Sequence, residues 1–206
     1  MAKLVLKSAI RNPQSEIRNR SMPIEIEKKY RLTKARRDAI EGRLREIGAS
    51  SRPIEFEENT LYSGGRLDFG GCALRLRRVN DRAILTFKRR FPSKATIKHQ
   101  QEEETHVSDA DATNAILSAL GFQPALIYEK RRTRWKVDNA EVTMDELPFG
   151  LFMEIEASEK DIARVEKLLD IADLPAVMET YPTLTAKVGK NRNGIIEARF
   201  KKARRR

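Results

Sequence analysis

Cysteine occurs once in the 206 residues, at Cys72, so an internal disulfide is excluded, and its neighbours form no metal or redox motif. No apolar run approaches the roughly 20 residues that a membrane-spanning helix needs. Near the start, Lys3 and Lys7 enclose only Leu4, Val5 and Leu6, too little for a secretory signal, so a cytoplasmic protein is expected. Histidine occurs only twice, and the chain has no internal repeat. Charge, by contrast, is abundant: 41 Lys and Arg against 30 Asp and Glu, a formal net charge of +11.

Such an excess suggests a nucleic-acid binder, but its distribution argues otherwise. Residues 1–21 hold five Lys/Arg against Glu16, and residues 187–206 hold nine against Glu197. The stretch between them is close to neutral, at −1. The chain therefore divides into a loosely ordered basic leader (1–21), one patterned domain (22–186) and a basic C-terminal tail (187–206), expected to be mobile from residue 191. The tails are expected to add weak polyanion affinity and nothing more. Met22, immediately before the first patterned strand, is a candidate translation start.

Within the domain, period-two alternation marks strands at about 22–31, 54–62, 72–80, 82–90, 99–107, 125–137, 140–147 and 150–157. Helical spacing appears in three stretches. The first, residues 33–49, places Ile40, Leu44 and Ile47 on one face. The second, residues 108–122, starts with Ser108 or Asp109 as cap and turns Ile116, Leu117 and Leu120 inward. The third, residues 158–175, turns Ile162, Val165, Leu168 and Leu169 inward. A further short helix is expected around 180–188. Tight turns at 79–82, 138–141 and 146–150 join consecutive strands into hairpins, which argues for antiparallel sheet. Gly64-Gly65 and Gly70-Gly71 have no helix after them and read as turn residues.

The strands share a second pattern. In "PIEIEKKYRLT", Glu25, Glu27, Lys29 and Arg31 occupy one face. Arg75 and Arg77 share a face of "CALRLRRV", as do Thr86, Lys88 and Arg90 of "AILTFKRR". Glu102, Glu104 and His106 fall together, as do Lys130, Arg132, Arg134 and Lys136, Thr143 and Asp145, and Glu154 and Glu156. For one strand alone, a solvated face is the simpler account. Across the set, however, the charges form blocks of one sign, which repel unless a ligand neutralises them. Helices covering the apolar side of a closed sheet would leave these blocks in its interior. Guanidinium groups suit phosphate, and carboxylates suit Mg²⁺ or Mn²⁺, so the two blocks together imply a metal–phosphate ligand.

The succession Glu25-x-Glu27-x-Lys29, "LRLR", "LTFK", a Glu-x-Glu strand, "KRR" and "MEIE" resembles the CYTH domain, the triphosphate tunnel metalloenzymes, over about residues 22–185. The resemblance implies an α+β fold, an eight-stranded antiparallel closed β-barrel (a tunnel) with amphipathic helices packed outside. It implies an enzyme with a divalent metal, Mg²⁺ or Mn²⁺, acting on a triphosphate-containing small molecule. By resemblance, Glu25, Glu27, Glu154 and Glu156 hold the metal, with Glu102, Glu104 and Asp145 binding or orienting it. Lys29, Arg75, Arg77, Lys88, Lys130 and Arg132 hold the triphosphate, and Lys29 and Glu104 are the groups assigned to the reaction. Tyr181 resembles a family tyrosine that helps to close the tunnel, although Thr180 departs from the usual serine before it. Arg31, Arg134 and Lys136 are placed at the rim, Arg78, Arg89, Arg131 and Glu103 outside, and His106 is read as structural.

Hydrolysis of a triphosphate is the expected reaction, because Asn59, Leu67 and the glycine ahead of "CALRLR" look like the triphosphatase branch. A class IV adenylyl cyclase, forming cyclic AMP and pyrophosphate from ATP, is the alternative. A non-catalytic polyphosphate- or RNA-binding module is a third reading, against which the Glu block speaks. No membrane partner is expected, and a homodimer is carried as an alternative assembly.

Overall fold

The computed structural model describes residues 24–65, 67, 71–91 and 97–201, so the basic leader lies outside the described residues. Strand β1 (Ile24–Leu32) leads into helix α1 (Lys34–Glu46), a short strand β2 (Ser50–Ser51), and then β3 (Glu55–Gly64), β4 (Cys72–Val79), β5 (Arg82–Arg90) and β6 (Lys98–Val107). After helix α2 (Ala110–Ala119) come β7 (Phe122–Val137), β8 (Ala140–Leu147) and β9 (Gly150–Glu156). Helices α3 (Glu159–Leu168) and α4 (Tyr181–Val188) precede a final hairpin, β10 (Lys190–Arg192) and β11 (Ile195–Ala198).

Eight strands close on themselves in the order β7-β3-β4-β5-β6-β1-β9-β8, with β8 pairing back onto β7. All pairings within this ring are antiparallel. Local chemistry explains the hairpins: Asn80 and Asp138 open two-residue turns at φ 51° and 49°, a left-handed conformation that short Asn and Asp side chains tolerate. At Gly64 a Cβ would sit 2.4 Å from the backbone oxygen of Gly121, so only glycine fits where β3 passes the start of β7.

The core lies between the outer face of the barrel and its helices. Tyr30, Trp135, Val142, Met144, Met153 and Ile155 pack against Ile40 and Leu44 of α1 and Ile162 and Val165 of α3. Each fully buried aliphatic side chain there contributes about 1.5–3 kcal/mol. Glu166 of α3 ties this layer to β1 by accepting from Tyr30 Oη and Lys28 Nζ, both at 2.5 Å. The helices start where polar side chains cap them: Thr33, Asp109, Ser158 and Thr180 each accept from a backbone N–H of the first turn. Among the described residues, no helix is long and apolar enough to cross a membrane.

Two expectations are corrected. In α2 the inward residues are Ala110 and Leu117, while Ile116 and Leu120 are 60% and 65% exposed. The helix is apolar on two sides, and its rotation is set by Tyr62, whose hydroxyl donates to Asn114 at 2.8 Å, rather than by its largest side chains. The basic C-terminal tail, expected to be mobile from residue 191, forms over its described residues a hairpin whose β11 adds in parallel to β7. It is held because Arg199 meets three carboxylates of the outer face, Glu58, Glu129 (3.0 Å) and Glu197 (3.2 Å). Phe200 follows, its N–H donating to Glu129 at 2.7 Å and its ring lying 4.0 Å from the Arg131 guanidinium. The residues after Lys201 lie outside the described ones.

Candidate active site

The inward faces of the strands enclose a cavity of about 560 Å³. Strand alternation sends apolar side chains to the helices, so the lumen receives the charged ones. They are not mixed evenly. Glu25 and Glu27 of β1, Glu102 and Glu104 of β6 and Glu156 of β9 form an acidic corner. Arg75 and Arg77 of β4 with Lys130, Arg132 and Arg134 of β7 form a cationic wall. Lys88 joins the corner, pairing with Glu102 and, at 3.1 Å, with Glu25. Arg75 bridges corner and wall, 3.7 Å from Glu102 and 3.9 Å from Glu104.

Twelve of the thirteen site residues expected from the sequence line this cavity; Asp145 lies behind Arg132. Arg132 donates two bonds to Asp145 (2.7 and 2.5 Å) and one to Glu154 (2.6 Å), so its donors are largely committed to carboxylates. One end of the lumen is occupied by the start of α4. There the Tyr181 hydroxyl donates to Asp145 at 2.7 Å, and its ring lies 3.8 Å from Lys29 Nζ. Lys29 is also 3.1 Å from Glu154 and donates to the Glu179 carbonyl. His106 and Arg134, read as structural and as a rim residue, both face the cavity.

Sequence reading missed the contribution of β3. Glu57 and Asn59 are fully buried on the inward face of β3, against the cationic side chains of β4 and β7, and Glu55 of the same face lines the cavity. The signal was present as Glu55, Glu57 and Asn59 at every second position, but Glu58 on the opposite face interrupts the alternation.

The electrostatics follow the two walls. Burial, reinforced by a hydrogen bond with Glu25, pushes the Glu102 carboxyl up to about 8. Burial acts on Glu25 as well, but hydrogen bonds from Glu102, Gln100 and Lys88 and the Lys88 charge outweigh it and bring Glu25 down to about 2. The two carboxyls thus share one proton near neutrality. Glu156, accessible at the mouth yet partly enclosed by protein, is pushed to about 7 by that enclosure and by Glu25 and Glu141. On the opposite wall, burial and the Arg132 charge pull Lys130 down to about 8. Glu57 is held well below the ordinary carboxylate range because Lys130, Arg77 and Arg132 outweigh its burial.

The sequence matches the CYTH domain family profile over residues 23–178. The chain belongs to the CYTH domain family. That family includes triphosphatases and adenylyl cyclases, binds triphosphate substrates such as ATP, and generally depends on a divalent metal. A Methanocaldococcus jannaschii protein whose name proposes an adenylate cyclase is 27% identical over 150 residues, covering 71% of this chain and 84% of the relative. A solved Pyrococcus horikoshii structure superposes with a TM-score of 0.65 and 28% identity, covering 79% of this chain and 98% of that one. A proposed adenylyl cyclase from Hippeastrum, described as having a dominant triphosphatase activity, shares the fold at a TM-score of 0.61, with 17% identity and coverage of 76% and 92%. The CYTH match ends at residue 178, before Tyr181 and the hairpin.

The acidic corner of this CYTH barrel suits a divalent cation. Among the described residues no three His, Cys, Asp or Glu side chains form a ready-made metal cage. Mg²⁺ rarely needs one, since it keeps waters and is usually bound through one or two carboxylates together with substrate phosphates. Glu25 and Glu102, sharing a proton beside Glu27, Glu104 and Glu156, form a donor set of the hard-oxygen kind such cations take.

Proposed function

We propose that this CYTH protein is a divalent-metal-dependent triphosphatase, acting on inorganic triphosphate, thiamine triphosphate or a nucleoside triphosphate. The carrying observation is the opposition of a cationic wall and a carboxylate corner in one closed lumen. Arg75, Arg77, Lys88 and Lys130 would bind the phosphoryl oxygens, and Arg132 would support them from its place between Asp145 and Glu154. Glu25, Glu27, Glu102 and Glu156 would hold the metal, which supplies charge stabilisation at the phosphoryl oxygens and an activated water. Lys29, kept in place by Glu154 and the Tyr181 ring, would offset charge developing as the P–O bond breaks. Glu104, accepting from Thr86 Oγ1 at 3.1 Å, would orient water toward the terminal phosphorus. One water is consumed, and orthophosphate separates from the diphosphate remainder.

The relative named for adenylate cyclase supports cyclisation of ATP as a second reading. Hydrolysis is the first reading because Asn59, Leu67 and the glycine ahead of β4 resemble the triphosphatase branch of the family. Incubation with tripolyphosphate, thiamine triphosphate and ATP, each with Mg²⁺ or Mn²⁺, decides the matter. Orthophosphate without cyclic AMP is expected. Cyclic AMP with pyrophosphate would make the protein a cyclase. Binding without turnover that survives EDTA and fades steeply with salt would make it a polyanion-binding module.

The acidic corner also predicts a pH-dependent stabilisation by metal. Glu102 keeps its proton to about 8 in the fold but only to about 4.5 in the unfolded chain. Its protonated form therefore stabilises the metal-free protein at low pH, and that contribution is lost as pH rises through about 8. A divalent cation replaces the proton, so Mg²⁺ should raise the melting temperature more at about pH 8.5 than at about pH 6. Equal gains in calorimetry at both pH values would rule out this corner as the metal site.

A further inference from the structure

Glu57 is an anion in the middle of the anion-binding wall. It is fully buried, on the inward face of β3 between β4 and β7. Lys130 Nζ lies 3.2 Å from its Oε2, Arg77 Nε 3.6 Å from the same oxygen, and Arg134 Nη2 3.5 Å from Oε1. Asn59 Nδ2 approaches Oε2 at 3.5 Å. These distances exceed the roughly 2.7–2.9 Å of a well-formed charge-assisted bond. Arg132 shows the contrast, gripping Asp145 and Glu154 at 2.5–2.7 Å. Glu57 thus sits among three cations without saturating any of them.

We infer that Glu57 is a resident competitor: its carboxylate holds the place of a phosphoryl group among Arg77, Lys130 and Arg134 and sets how tightly the lumen retains triphosphate and its products. The inference rests on the triphosphatase reading and deepens it. An arriving phosphoryl group offers more oxygens and more charge than one carboxylate, so Arg77 and Lys130 exchange partners as it binds. When the product leaves, Glu57 receives them again, and the wall never stands as bare, mutually repelling cations.

Glu57 could instead act mainly by organising the wall, in which case its loss would weaken binding. The remaining contacts argue against this. Lys130 keeps Asp145 at 3.7 Å and the Tyr181 ring at 5.5 Å. Arg134 keeps Glu55 at 3.3 Å and Glu141 at 3.0 Å. Arg77 is only 8% exposed and enclosed by its neighbours. Removing the Glu57 charge therefore takes away one negative charge while leaving the cations anchored, and competition outweighs organisation.

The test compares wild type, Glu57→Gln and Glu57→Asp in full-length protein. Calorimetry measures affinity for tripolyphosphate and for pyrophosphate, with EDTA present so that binding is read without turnover. Glu57→Gln is expected to bind both at least tenfold more tightly, a size set by a unit charge acting at short range in a partly screened interior. With Mg²⁺, KM and kcat should fall together as product release slows. Glu57→Asp keeps the charge but withdraws it from Arg77 and Lys130, and should bind about threefold more tightly; if the Gln variant does not fold, this shift decides. Unchanged or weaker binding in the variants overturns the inference, whether or not the wild type turns over. Absence of hydrolysis by the wild type would instead overturn the triphosphatase reading and leave the comparison of affinities intact.

Discussion

Arg77→Ala is expected to lower kcat/KM for the hydrolysed triphosphate by about 10²–10³-fold, the usual cost of losing one preorganised donor at a developing charge. The residue is 8% exposed, faces the cavity, and its nearest carboxylate, Glu57, stands 3.6 Å away. Its Nε is buried without a hydrogen-bond partner. A guanidinium placed in the lumen with an unsatisfied donor can turn toward phosphoryl oxygen without breaking a strong bond. Arg77→Lys should recover only part of the activity, because an ammonium lacks the paired donors of the planar fork. Fold integrity is checked by the melting temperature, which should change little. A loss below tenfold in steady-state assays would remove Arg77 from the substrate-binding set.

Asp145→Asn should act on stability instead. Asp145 is 1% exposed and is the acceptor for both Arg132 donors, for the Tyr181 hydroxyl and, at 3.7 Å, for Lys130. An amide of the same shape removes the charge and turns one acceptor into a donor aimed at a guanidinium. Breaking a buried pair in this way leaves charge uncompensated and typically costs about 3–5 kcal/mol. For a domain of this size that corresponds to a fall in melting temperature of roughly 10 °C. Denaturant titration would show it directly. A change below about 1 kcal/mol would mean that Glu154 alone can hold Arg132.

The barrel and most of its lumen were legible because each strand carries its own record of two faces. Arg75/Arg77, Glu102/Glu104 and Glu154/Glu156 repeat at every second position, and the apolar residues between them find the helices. What escaped was whatever depends on a neighbour distant in sequence. Glu57 looked like one acid in the run Glu55-x-Glu57-Glu58, and only its pairing beside Lys130 places it in the cationic wall. Arg132 was legible as a basic residue of the lumen, but not its grip on Asp145 and Glu154, which only the pairing of β8 and β9 reveals. The tail read as mobile because its charge was counted, while the partners of that charge, Glu58 and Glu129, lie 141 and 70 residues earlier. The inner face of α2 was misjudged for a related reason, since a helix apolar on two sides does not say which side Tyr62 will meet.

The position of β1 in the ring has a bearing on how the protein comes to exist. Glu25, Glu27 and Lys29 are made first, yet β1 is bordered by β6 through Gln100 and Gln101 and by β9 through residues 151–156. The β1–β9 seam joins residues farther apart in sequence than any other seam of the barrel, several of which are tight hairpins. During synthesis the first strand must therefore wait, its apolar face uncovered, until the ninth has emerged, and closing that long loop is the slowest kind of pairing. Glu25, Glu27, Glu102 and Glu104 can meet once β1 and β6 pair, but Glu156 joins their corner only when this last seam is sealed. A ribosome-bound or truncated chain lacking β9 would leave the barrel open and take Glu154 from Arg132 and Lys29, and would be an aggregation-prone intermediate rather than a weak enzyme.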